Sequence, residues 1–257
     1  VHAQPYRDAL ARLASVESSD VVVQGTAWRL LRPLSRGERT DLWHVERTRT
    51  PTERGILKLA RTPETTAEGP VLAALAATGS PIIGSLLPAL ISFGPVTSAQ
   101  HLGQYAVIMR AAPTFTHDLT AVSRLYPAGI DPAIGVWMWR RLLEILRILR
   151  EAGVCHHAVE PAHLIVESGK HGLRLVGFGN ARLGEKWGSN AATTSARLIR
   201  GLISSPPQRI GQLLEEASAD VRIGETATDI LDLHRRIGDA AAAEFGPPRF
   251  RPLSLPR

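Results

Sequence analysis

The chain has 257 residues, 44% of them hydrophobic, which is enough to bury a globular core and too apolar for a disordered protein. A single cysteine, Cys155, excludes a disulfide framework and favours a reducing, cytoplasmic compartment. No apolar run approaches the roughly 20 residues of a membrane-spanning helix. Residues 1–20 also lack the apolar core of a signal peptide, so we expect no membrane partner.

The charge balance is basic, with a formal net charge of +6 and an isoelectric point of about 10.2. Such a balance suits a nucleic-acid ligand or an acidic partner. The arginines are scattered, however, and they do not alternate with aromatic residues, so nucleic acid is not expected to be the main ligand. Lysine is rare, because the 30 basic residues include only Lys58, Lys170 and Lys186. A lysine within a strand pattern is therefore a candidate functional residue.

The predicted elements fall into a strand-rich first part and a helical second part. After a helix over 5–18, short alternating or β-branched runs predict strands over 21–23, 28–34, 41–47, 56–60, 86–93 and 104–109, with a helix opening near Glu68. The second part begins with a long amphipathic helix over 133–152 that Gly153 terminates. Strands over 164–166 and 173–176 follow, joined by a turn over 168–172. Helices over 191–203, 206–218 and 225–244 and an extended tail over 246–257 complete the chain.

Two segments carry the most specific pattern in the sequence. Residues 153–166 read G-V-C-H-H-A-V-E-P-A-H-L-I-V, and residues 175–182 read L-V-G-F-G-N-A-R. They resemble the catalytic loop H-R-D-L-K-P-E-N and the metal-binding D-F-G segment of protein kinases, in the family's order and spacing. Upstream, 34–43 stands where the glycine-rich loop belongs, 55–58 resembles V-A-I-K, and 105–110 resembles the strand that leads into the hinge. The resemblance covers about residues 25–183.

This resemblance implies an α+β, bilobal protein kinase-like fold of the bacterial serine/threonine type. We expect an N-terminal helical extension over 1–24, a small β-rich N-lobe over 25–112 and a helical C-lobe over 113–257, joined near 109–112. The resemblance also implies that Leu72, His156 and Phe178 belong to the apolar column of the family. Leu42 and Ile165 match positions that line its adenine pocket.

The positions that carry kinase chemistry are replaced. In the family an aspartate accepts the proton of the substrate hydroxyl, and an asparagine and the D-F-G aspartate hold magnesium. The matching residues here are Ala158, His163 and Gly177. Alanine cannot accept a proton, glycine offers no ligand, and imidazole is a poor ligand for magnesium. The loop lysine of the family is replaced by Glu160, which would repel a phosphate.

The matching nucleotide site is also altered. Only Gly37 remains of the glycine-rich loop, and Ile56 replaces the small residue that lies over adenine in the family. Lys58 is kept, and Met109 ends the strand that leads into the hinge. The partner that the resemblance gives Lys58 is Glu68, with Glu64 as an alternative. Proline is tolerated only in a helix's first turn, so Pro70 places the helix start near Glu68, and we do not expect the Lys58–Glu68 pair to form.

We therefore predict a catalytically inactive pseudokinase that acts as a scaffold or allosteric regulator of a partner protein, without a cofactor or a metal. One alternative is an atypical nucleotide-dependent transferase that uses non-standard residues. In it, His156, His157, His163 and Glu160 would perform acid–base chemistry or bind zinc. The other alternative is a nucleic-acid-binding protein that uses the basic surface.

Overall fold

The computed structural model describes residues 20–61, 67–80, 82–167, 169, 172–185, 191–219, 226–249 and 251–255. The helix predicted over 5–18 and most of the turn predicted over 168–172 lie outside the described residues. The chain divides into two units, the first made of Val1–Pro70 and Ala89–Ala111 and the second of Val71–Pro88 and Ala112–Arg257.

The first unit is built on an antiparallel sheet of six strands. The strands are β1 (Asp20–Val23), β2 (Thr26–Arg36), β3 (Thr40–Arg47), β4 (Thr50–Ala60), β5 (Leu90–Pro95) and β6 (Tyr105–Arg110). Their order across the sheet is β1-β2-β3-β4-β6-β5, so consecutive strands are neighbours except where β6 lies between β4 and β5. Five of the six predicted strands are confirmed, four of them within two residues at each end, whereas β4 begins at Thr50 and not at the predicted residue 56.

One face of this sheet forms the core of the first unit. Alternate residues of the strands are buried there, among them Trp28, Trp43 and Leu57. The sheet curls, because Val23 of β1 forms a bridge with Val96, directly after β5. The curled sheet thereby buries side chains from both of its edge regions in one cluster.

The predicted strand over 86–93 is wrong at its start. A short helix, α2 (Ile83–Leu86), covers its first residue, and the strand begins only at Leu90. The amide of Leu87 donates to the carbonyl oxygen of Ile83 at 2.8 Å, so the apolar run closes a helical turn. Pro88 follows and cannot continue the helix. A short apolar run does not distinguish a buried turn of helix from a buried strand, which explains the difference.

The second unit is mainly helical. Its helices are α1 (Glu68–Ala77, whose first three residues belong to the first unit), α2, α3 (Leu119–Leu125), α4 (Pro132–Glu151), α5 (Ala191–Arg200), α6 (Gln208–Ala219) and α7 (Ala227–Phe245). Short strands lie between α2 and α5: β7 (His117–Asp118), β8 (Val154–Cys155), β9 (Leu164–Glu167), β10 (Gly172–Leu175) and β11 (Arg182–Leu183). No helix in the described part of the chain is long and apolar enough to cross a membrane.

The long helix α4 organises the second unit. The side chain of Asp131 caps its start by accepting from the amide of Ala133 at 2.7 Å, and Pro132 occupies the first helical position. The helix stops before Gly153, which has a φ of 65°. Helix α4 packs against α5 and α7, and the hairpin β9–β10 lies against it. The helix predicted over 133–152 and the three predicted after residue 190 are confirmed.

Candidate functional site

In the first unit, Lys58 and Glu68 form a direct ion pair. Nζ of Lys58, on β4, lies 2.5 Å from Oε2 of Glu68, and their side chains are 15% and 2% exposed. The sequence-based expectation that this pair would not form is therefore wrong. Helix α1 does begin at Glu68, as Pro70 indicated. A glutamate in the first helical turn can still reach a neighbouring strand, and a carboxylate is favourable at a helix N-terminus. Glu64, the alternative partner, lies outside the described residues.

The sheet face that carries Lys58 also carries Leu42, Ile56 and Met109 of the predicted nucleotide site. Ile56 lies opposite Met109 in the β4–β6 register, and Leu42 of β3 lies opposite Lys58. These positions alternate with Leu57, which belongs to the core of the unit, so they lie on the other face. Ile56 is half-buried and Met109 is buried. The face thus combines these apolar side chains with the paired ammonium group and with His44, which lies opposite Ile56.

Gly37 lies in a tight turn between β2 and β3. Its amide donates to the carbonyl oxygen of Thr40 at 2.9 Å, and a Cβ at this position would lie 2.8 Å from the same oxygen. A larger residue would therefore strain the turn. Because the amide of Gly37 is already bonded within the turn, it is not available to a phosphate in this conformation.

In the second unit, the side chain of His163 lies directly against Gly177. A Cβ built on Gly177 would be 2.6 Å from Cδ2 of His163 and 2.8 Å from its Nε2. Gly177 also has a φ of 81°, in the left-handed region that side chains disfavour. The imidazole thus occupies the space that any side chain at position 177 would need. His163 and Gly177 are sterically matched to each other.

A closed ring of hydrogen bonds holds this region together. Nε2 of His156 lies 3.1 Å from the carbonyl oxygen of Val176, and the amide of Val176 donates to the carbonyl oxygen of His163 at 2.8 Å. Nδ1 of His163 donates to the carbonyl oxygen of Ala158 at 2.8 Å. The amide of Ala158 in turn donates to Nδ1 of His156 at 3.3 Å. The loop at 156–163 therefore both donates a hydrogen bond to the segment before Gly177 and accepts one from it.

These contacts fix the protonation state of His156. A carbonyl can only accept and an amide can only donate, so Nε2 carries the proton and Nδ1 is the acceptor. The ring is fully buried and packs edge-on against Phe178, with ring centroids 4.5 Å apart. Burial, together with the nearby His163, lowers the pKa of His156 to about 4. His156 is thus a neutral packing residue with both ring nitrogens bonded, and it is not free for acid–base work.

The remaining predicted residues lie at the surface of the loop. Glu160 is exposed, and its Oε1 lies 3.3 Å from Nδ1 of His163. His157 is exposed with a φ of 60°, and its Nε2 lies 2.6 Å from Oε2 of Glu185. Glu185 was not singled out from the sequence, because nothing local links it to a histidine 28 positions earlier. In the described part of the chain, no three His, Cys, Asp or Glu residues are grouped so that they could hold a metal ion.

Comparisons with known proteins show the fold. No protein-family model matches the sequence, and no curated protein matches it. The structure is similar to a solved structure of vaccinia related kinase 3, with a TM-score of 0.55 and 14% sequence identity. The similarity covers 93% of this chain and 81% of that chain. The chain therefore has a protein kinase-like α+β fold, as the sequence predicted.

The contact between His163 and Gly177 can be tested by a double-mutant cycle. Gly177→Ala should lower the free energy of unfolding by about 2–4 kcal/mol, because it adds a clash to backbone strain. Combining it with His163→Ala should cost at least about 1 kcal/mol less than the sum of the two single effects. The measurement is urea denaturation of all three variants.

Gly184→Ala is the matched control for this cycle. Gly184 has a φ of 72°, but apart from its chain neighbours no described residue lies within 4 Å of its Cβ position. Its substitution measures backbone strain alone, so it should cost less than Gly177→Ala and should not couple to His163→Ala. Strict additivity of Gly177→Ala and His163→Ala would contradict the proposed packing.

The lowered pKa of His156 predicts a pH dependence of stability. The folded chain binds this proton more weakly than the unfolded chain, whose histidine pKa is near 6.5. The contribution of neutral His156 to the free energy of unfolding is therefore complete above pH 6.5. As the pH falls toward 4, the free energy of unfolding decreases by about 3 kcal/mol. His156→Gln lacks this titration, so the stability difference between wild type and variant should shrink over that interval. Parallel pH profiles for the two proteins would refute the assignment.

Proposed function

We propose that this chain acts without phosphoryl transfer, as a pseudokinase that regulates or scaffolds a partner protein. The observation that carries the proposal is the packing of His163 against Gly177. In a protein kinase the corresponding two positions supply the ligands of magnesium. Here the imidazole fills the space next to a glycine that has no side chain, so the local structure supports packing and not metal binding.

The loop supports the same conclusion for the catalytic base. Phosphoryl transfer relies on positioning and on charge stabilisation, with a carboxylate that accepts the proton of the attacking hydroxyl. Ala158 stands at that position, and its backbone amide and carbonyl are both bonded to histidine rings. Glu160 places an exposed negative charge where the family has a lysine. Neither residue can replace the missing functions.

A second candidate function rests on the Lys58–Glu68 pair. In active kinases the corresponding lysine is held by a glutamate and contacts the nucleotide phosphates. The pair here has the short Nζ–Oε2 distance of 2.5 Å and is largely shielded from water. This arrangement favours a chain that could still bind a nucleotide, either as a sensor or as an atypical transferase.

A phosphotransfer assay tests the main proposal. Purified protein with labelled ATP and either magnesium or manganese should incorporate no label into itself or into generic protein substrates. The reason is the combined absence of the base and of the metal ligands at Ala158, His163 and Gly177. Lys58→Ala serves as the control for contaminating kinases. Incorporation that this substitution abolishes would overturn the proposal.

A thermal-shift titration separates the two candidates. We expect millimolar magnesium-ATP to leave the melting temperature unchanged, because the phosphate-binding turn and the metal ligands are both altered. A ligand present at a hundred times its dissociation constant would add about 2.7 kcal/mol, a shift of a few degrees. A shift that disappears in Lys58→Ala would instead establish a nucleotide-binding switch.

A further inference from the structure

The second unit contains a cavity that the proposed function does not use. It lies between helices α4 and α7 and the segment that follows α7, and its volume is about 390 Å³. Its apolar wall includes Trp137 of α4, Phe245 at the end of α7, and Pro247 and Pro248. A volume of this size, with aromatic and aliphatic walls, is typical of a small-molecule site.

The charged residues of the cavity leave an excess of positive charge. Four arginines and one acidic residue line it: Arg140, Arg141, Arg249, Arg251 and Glu144. Arg141 is paired with Glu144 at 2.5 Å. Burial acts to raise the pKa of Glu144, but His234 and Arg141 outweigh it and lower that pKa, so Glu144 remains ionised. Arg251 is paired with Asp131 at 3.1 Å.

Arg140 and Arg249 form no ion pair with any described residue. Arg140 is half-buried, and its guanidinium lies over Gly238 of α7, where a Cβ would be 3.3 Å from Cζ. The glycine therefore makes room for the guanidinium. Nε of Arg140 is buried and has no hydrogen-bond acceptor among the described residues. A buried donor without an acceptor is rare in folded proteins, and an anion in the cavity would supply one.

The segment after α7 is held in place, so the cavity exists before a ligand arrives. The hydroxyl of Tyr126 donates to the carbonyl oxygen of Ser254 at 2.6 Å. Leu253 is buried, and Arg251 lies over the ring of Phe245 as well as against Asp131. A wall fixed by these contacts does not have to be ordered at the moment of binding.

We propose that this cavity is a binding site for a small organic anion with an apolar body. Arg140 contacts the anionic group, carboxylate or phosphate, because a guanidinium fork suits both. Trp137, Phe245 and the two prolines contact the apolar part. Arg249 adds positive charge at the surface. The site lies entirely within the second unit and does not depend on the proposed function.

The test uses two dyes of the same ring system. 1-Anilinonaphthalene-8-sulfonate carries an anionic group, and N-phenyl-1-naphthylamine is its uncharged counterpart. In fluorescence titrations the sulfonate should bind wild type at least about tenfold more tightly than the uncharged dye. Arg140→Gln should weaken sulfonate binding about tenfold and leave the uncharged dye unaffected. Arg249→Gln, at an exposed position, should weaken sulfonate binding less.

Arg147→Gln is the matched control, because Arg147 lies on α4, pairs with Glu151 and does not line the cavity. Equal weakening by Arg147→Gln and Arg140→Gln, or equal affinity for the two dyes, would overturn the proposal. Displacement of the sulfonate by 1-naphthoate or by 1-naphthyl phosphate identifies the preferred anion, and 1-naphthol should require a concentration at least about tenfold higher. The proposal would also be overturned if 1-naphthol displaced the sulfonate as effectively as the two anions do. Circular dichroism of each variant verifies that the fold is retained.

Discussion

The hydrogen bonds of the His156 ring are the constraint on which the candidate site depends. The buried imidazole donates to the carbonyl oxygen of Val176 and accepts from the amide of Ala158, so it joins two chain segments that are distant in sequence. Burial keeps the ring neutral, and only the neutral ring can donate from one nitrogen while it accepts at the other. The backbone around Gly177 and the loop that precedes β9 are thus placed by one side chain.

The His163–Gly177 contact follows from this placement. The amide of Val176 donates to the carbonyl oxygen of His163, and the ring of His163 donates to the carbonyl oxygen of Ala158. These two bonds direct the ring of His163 onto Gly177, which follows Val176 in the chain. A glycine in the left-handed region accepts the ring without a clash, whereas any larger residue would not. The residue types at positions 163 and 177 are therefore coupled sterically. This coupling supports our proposal that the chain works by interaction with a partner.

The first unit differs in that Lys58 and Glu68 satisfy each other in an ion pair. The Lys58–Glu68 pair is largely shielded from water, where removal of one partner would leave an uncompensated charge. The pair can therefore be retained for the stability of the sheet and helix, with or without a nucleotide. In the second unit, in contrast, Arg140 has a buried nitrogen for which the described residues offer no acceptor. An anion in the cavity beside Arg140 would supply that acceptor.

The sequence by itself determined the kinase-like fold, helix α4 and the three later helices, because apolar periodicity and motif spacing are local properties. Only the tertiary structure decided that Glu68 reaches Lys58 and that the ring of His163 fills the space beside Gly177. It also placed Arg140 against Gly238, two residues that no local pattern connects. Side-chain reach, burial and mutual fit depend on residues far apart in the chain, so they become visible only when the folded packing is known.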